Sequence, residues 1–147
     1  TDIILDEHGD VVFELGRNDG GTVTHLRVSS KILTLASPVF KAMFTHGFAE
    51  SQDLSSTAPR LIPLPDDNTR AMVLLSRILH HKVARIPKKL SLGALVDLAI
   101  LSDKYDCSVP LNVYGTLWVA ELMESACKGR YKELLFATYI LDLPEAF

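Results

Sequence analysis

Cysteine is scarce, with two in 147 residues, and so are the spacings that build metal or phosphate sites. Cys107 and Cys127 are too few for the disulfide framework of a small secreted domain. Each follows a helical pattern, where a free thiol packs as a small apolar group. No Cys-x-x-Cys or His-x-x-x-His spacing joins these cysteines or the five histidines. His80 and His81 are adjacent, so their side chains leave a helix about 100° apart and cannot easily share one ion. Gly9, Gly20 and Gly21 stand outside any Gly-x-Gly-x-x-Gly or Gly-Lys-Ser frame, so a phosphate cradle of either kind is excluded. Ser29-Ser30 lacks the Gly-x-Ser-x-Gly frame of an exposed nucleophile, and these hydroxyls are expected to cap the helix that follows. No catalytic residue, cofactor or metal is therefore expected, and the chain is not read as an enzyme.

Positive charge is short as well. The 15 Lys and Arg stand against 18 Asp and Glu, a formal net charge of −3. Lys88-Lys89 is the only adjacent basic pair, and a solvated loop is its expected place. Nucleic acid, whose non-specific affinity comes from clustered Lys and Arg, is not an expected partner. No apolar run approaches the roughly 20 residues of a membrane helix, and no secretory signal pattern opens the chain. An intracellular setting is expected, with no feature that separates nucleus from cytoplasm. Thr1 is not an initiator Met, and the chain reads as a domain of a longer protein.

What is present is ordinary for a soluble domain with one substantial core: 48% hydrophobic and 22% charged residues over 147 positions. Val11, Phe13 and Leu15 alternate with Val12, Glu14 and Gly16, a strand with one apolar face. Asn18-Asp-Gly-Gly21 suits a hairpin turn, with the return strand over about Thr22 to Val28. A short strand from Ile3 to Leu5 precedes them, and Arg60 to Leu64, with Pro63 removing a ladder donor, suits a sheet edge. Pro65-Asp66-Asp67 opens a helix in which Ala71, Leu74, Leu75, Ile78 and Leu79 form one apolar stripe ending near His80-His81-Lys82. Val83 to Lys89 has room for a brief strand. Ser91 caps a helix that is expected to be buried on most sides. Pro110 begins another, with Leu111, Tyr114, Leu117, Trp118 and Leu122 on one side, and Gly129 separates it from a last helix near Tyr131–Leu141. Strands come early and helices run throughout without strict alternation, so the class is α+β: a small mixed sheet against five to six helices.

Leu26 to Glu50 is the most informative stretch: a strand, a short helix, a Ser-Pro break, a second short helix and a polar exit. Ser37 can accept from free N–H groups at a helix start, and Pro38 suits the first helical position. Val39, Phe40, Met43 and Phe44 then recur at helical spacing.

This stretch resembles the core signature of the BTB/POZ family of protein-interaction domains, whose pattern runs through Ser-Pro-x-Phe-x-x-Met-Phe. Leu61-Ile-Pro-Leu-Pro-Asp66 is similar to the family's third strand, and Ala99-Ile-Leu-Ser-Asp-Lys-Tyr-Asp-Cys107 to its Ala-Asp-Lys-Tyr helix end. The resemblance spans about residues 10 to 124, leaving 130 to 147 as a C-terminal helical extension. Ser29-Ser30 stands where many animal members have His-Lys, a substitution familiar in fungal members.

The resemblance implies a non-enzymatic protein–protein interaction domain. Family members that recruit a cullin ubiquitin-ligase scaffold carry an apolar–x–Glu motif after the second short helix, where Phe48-Ala49-Glu50 stands here. The expected protein-binding residues are therefore Phe48, Ala49, Glu50 and, at the exit of a later helix, Tyr105. An aromatic anchor supplies buried area there, and a carboxylate fixes orientation by charge-assisted hydrogen bonds. The alternative output is self-association as a homodimer. Only nine residues precede Asp10, which disfavours the family's strand-exchanged dimer and leaves a contact through the Ser30–Thr45 helices. The resemblance also places Asp10 at a partly buried family position, where a buried carboxylate needs an Arg, Lys or backbone N–H partner. Trp118 has two readings, an exposed contact aromatic or a core residue.

Overall fold

A computed structural model describes residues 1–45, 54–124 and 131–143. Within them the chain is α+β, a four-stranded mixed sheet with six α-helices. The strands are β1 (Asp2–Ile4), β2 (Val11–Leu15), β3 (Thr24–Val28) and β4 (Arg60–Leu64). The helices are α1 (Ser30–Ala36), α2 (Pro38–Thr45), α3 (Thr69–Leu79), α4 (Leu92–Lys104), α5 (Asn112–Glu124) and α6 (Tyr131–Ile140).

The sheet order is β1-β3-β2-β4. β2 and β3 form the antiparallel hairpin, with Phe13 opposite Leu26 and Val11 opposite Val28. The turn is longer than a two-residue hairpin loop: a 3₁₀ turn at Arg17–Asp19 sits between Gly16 and Gly20, both left-handed, and β3 begins at Thr24. β4 joins β2 in parallel, with Ile62 beside Phe13, and lies at the sheet edge, where Pro63 leaves no inner ladder bond unmade. β1 takes the opposite edge, parallel to β3, one residue earlier than the sequence pattern predicts.

The period-2 pattern decides which face is covered. Val11, Phe13, Leu15, Leu26 and Val28 are fully buried beneath the helices. Glu14 points the other way yet is only 6% exposed. Arg17 Nε lies 2.5 Å from its carboxylate and cross-strand His25 lies beside it, so paired polar groups cover that position. Gly9 is tightly placed as well, since a Cβ there would meet the Val28 carbonyl oxygen at 2.5 Å.

Among the helices, the α3 stripe Ala71, Leu74, Leu75, Ile78 and Leu79 is buried, and Met72, Val73 and Ser76 are buried beside it. Asn68, and not the Pro65-Asp66-Asp67 run, caps α3, its Oδ1 accepting from the Ala71 N–H. α4 is less enclosed than its apolar content predicts: Leu95, Leu98 and Ala99 are buried, but Ile100 is 53% exposed and Gly93 and Asp97 face solvent. No strand forms in Val83 to Lys89; Val83–Arg85 is a 3₁₀ turn, because no strand edge lies alongside to receive its ladder bonds. Pro110 belongs to a 3₁₀ turn, Val109–Leu111, that leads into α5. Leu117, expected on the apolar side of α5, is exposed, whereas Trp118 is buried and donates from its indole N–H to the Pro87 carbonyl. α6 packs along α4 through buried Leu134, Ala137 and Leu141, and Leu141 and Leu143 reach Gly115 of α5. No helix among the described residues is long and apolar enough to cross a membrane.

Candidate functional site

Phe48, Ala49 and Glu50 lie outside the described residues. The segment leading to them is α2, and its position is set from its first turn. Ser37 is buried and caps α2, its hydroxyl oxygen accepting from the Phe40 N–H at 3.0 Å. The same hydroxyl donates to the Tyr105 carbonyl at 2.5 Å, which ties the start of α2 to the end of α4 across 68 residues of sequence. Phe40, one turn on, stacks on the Tyr105 ring with centroids 4.3 Å apart and planes within 7°. Phe13 and Phe44 flank Phe40 at 5.7 and 6.0 Å, so α2 is anchored to sheet and α4 by one aromatic cluster.

Tyr105 itself is corrected by this geometry. Expected at a protein-binding surface, it is 2% exposed, and its hydroxyl donates to Asp67 Oδ2. A ring packed face to face on Phe40 beside the α4 C-terminus has no open side for a partner. Burial, and the neighbouring Asp67 carboxylate, push its phenol upward from the ordinary value. Lys104 completes the arrangement, its Nζ 2.5 Å from Asp67 Oδ1 with the side chain half exposed. Asp67 is thus a buried carboxylate held by one ammonium and one phenol, as a buried charge requires. The sequence pattern places Asp67 only in a helix opening. The nearest available cue was two acids before an Asn cap where one would suffice.

Asp10 is half-buried and its carboxylate accepts from the Ser30 N–H at 2.8 Å and the Ser30 hydroxyl at 2.5 Å. It therefore joins the start of β2 to the start of α1, and the required partner is a backbone N–H. Ser29 caps α1 by accepting from the Ile32 N–H. Beside it His80 is 8% exposed, with the Ser29 N–H donating to Nε2 at 3.0 Å and the Ser76 carbonyl 2.8 Å from Nδ1. Only the neutral, Nδ1-protonated ring satisfies both contacts. Burial pushes its pKa below the ordinary value, with Lys82 adding to that and the Ser76 carbonyl and Asp6 opposing it.

Cys107 is buried, and burial pushes its thiol up to about 12, so it stays a protonated packing group; Cys127 lies outside the described residues. Among the described residues no three His, Cys, Asp or Glu side chains gather as a metal would need. What the surface offers is apolar contact area. Leu35 on α1 is 81% exposed, beside a groove of about 450 Å³ lined by Ile32, Ala36, Ile78, Pro110 and Tyr114. Compared with protein-family models and with curated protein sequences, the chain matches none.

Proposed function

We propose that the chain is a BTB/POZ-like protein–protein interaction domain of a larger intracellular protein, serving as an adaptor for a cullin ubiquitin-ligase scaffold. The observation that carries the reading is the junction of α2 and α4. The two segments with the strongest resemblance, Ser37 to Phe44 and Asp103 to Tyr105, meet there through the Ser37–Tyr105 hydrogen bond and the Phe40–Tyr105 stack. That junction fixes the start of α2, and Phe48-Ala49-Glu50 begins three residues after the helix ends in the sequence. Partner recognition then falls to Phe48 and Glu50, while Tyr105 acts from behind as a positioning residue.

Calorimetric titration of the domain with the N-terminal part of a cullin scaffold tests the adaptor role. Binding at tens of micromolar or tighter, about 6 kcal/mol or more, is expected, and Phe48→Ala and Glu50→Ala should each weaken it. No binding by the unmutated domain at that concentration sinks the role.

A second reading, self-association, is favoured by exposed Leu35 on α1 and the apolar groove beside it. Sedimentation over a concentration series separates the two outputs.

A further inference from the structure

A groove of about 830 Å³ lies on another face, between α3 and α4. Its walls are apolar at Leu74, Pro87 and Leu90, and two cations of α3, Arg70 and Arg77, line it. They are seven residues apart, two helical turns, and so stand on one face. Neither takes part in an ion pair with a described residue. Arg77 Nε is moreover buried without a hydrogen-bond partner, alone in this among the side chains of the described residues. An unanswered buried donor is costly, and because that Nε is closed to solvent, an acceptor in the groove engages it by a turn of the Arg77 side chain towards the groove it lines. The Nε–H and a neighbouring Nη–H form one of the two edges by which a guanidinium takes a carboxylate with two parallel bonds.

We infer that this groove receives a carboxylate side chain, flanked by an apolar residue, from a partner polypeptide, with Arg77 as its principal ligand and Arg70 as the second cation. The charge balance favours an anion: two arginines face one acid, Asp97, which forms no ion pair with either. The occupant is a polypeptide because the rim is open. Arg70, Ser91, Gly93 and Asp97 are all exposed, so the groove admits a side chain from an apposed surface and does not enclose a free ligand as small-molecule sites do. The choice of a polypeptide rests on the interaction-domain reading, but the site is distinct from Phe48-Ala49-Glu50 and adds a second contact to it.

The test uses the Nε–H resonance of Arg77 in the ¹⁵N-labelled chain, whose burial slows exchange with water. The acetylated and amidated tripeptide Leu-Glu-Leu is titrated in, with Leu-Gln-Leu and hexanoate as separate arms. A saturating shift of that resonance with Leu-Glu-Leu and none with Leu-Gln-Leu is expected. Arg77→Lys, which keeps the charge but loses the fork, should weaken binding by about tenfold, followed in that variant by the backbone amide resonances of Gly93 and Ala94 in the groove wall. Should that variant fold poorly, Arg70→Gln at an exposed position gives the same reading with a smaller loss, and Asp97→Asn should tighten binding. The inference is overturned by an unmoved resonance at about 10 mM peptide, by equal shifts with Leu-Gln-Leu, or by a response to hexanoate alone. It is equally overturned if Asp97→Asn shifts the Arg77 resonance in the free protein as far as saturating peptide does, for Asp97 would then be the missing partner. No part of the cullin contact enters these titrations, so either result can fail while the other stands.

Discussion

Replacing Tyr105 by Phe removes a single hydroxyl, and with it one of the two groups that answer the buried Asp67 carboxylate. The remaining partner, Lys104, is half exposed and screened by water, so it compensates little. A loss of about 2 kcal/mol of unfolding free energy is expected, read by urea denaturation. His80 supplies the second prediction at this scale. Its pKa in the folded chain lies below the ordinary 6.5, so the unfolded chain binds the proton more readily. The stability it contributes is full above 6.5 and is lost as the pH falls below that towards the folded value. Denaturation midpoints from pH 7.5 downwards should fall in the unmutated chain and run flatter in His80→Gln, whose amide oxygen can still accept from the Ser29 N–H. Little of this was legible residue by residue. Ser37 was, because a Ser before Pro carries a local chemical role, while the partly buried place of Asp10 was implied by the family resemblance and not by its neighbours in sequence. Tyr105 was not, since a Lys-Tyr helix exit reads as surface until Phe40, 65 residues earlier, is seen lying on the ring.

Secondary-structure elements fared better, since periodicity measures burial directly. The β2 and β4 bounds and the α2 bounds agree with alternation, edge-proline and Ser-Pro reasoning, each a local effect. The disagreements share one cause, the surroundings of an element. Val83 to Lys89 has strand-compatible residues but no neighbouring edge, and Leu117 has the right spacing but no element facing it. Ser37 makes the α2 start testable. Ser37→Ala should cost about 2 kcal/mol, at the upper end for a helix cap, because the Tyr105 carbonyl loses its donor too. Ser37→Thr, which keeps the hydroxyl, separates lost hydrogen bonding from altered packing: recovery of part of the loss is expected, and none would assign the effect to packing alone.

For the whole molecule, the apolar surface left over by folding matters most. Leu35 is the most exposed large apolar residue on α1, next to an apolar groove. Leu35→Glu should leave thermal stability within about 0.5 kcal/mol, as surface changes do. It should abolish any concentration-dependent dimer seen by sedimentation; a dimer that survives it lies elsewhere. Composition, alternation and capping chemistry were enough for the α+β class, the hairpin, the starts of α1, α2 and α4 and most of the core, because each follows from forces acting within a few residues. Which strand neighbours which, that Asp67 is buried between Lys104 and Tyr105, and that Arg70 and Arg77 share a groove with Asp97 came from the packed chain alone. Those are contacts between residues far apart in sequence. Their energies depend on burial and on a partner's position, neither of which a local pattern of residues records.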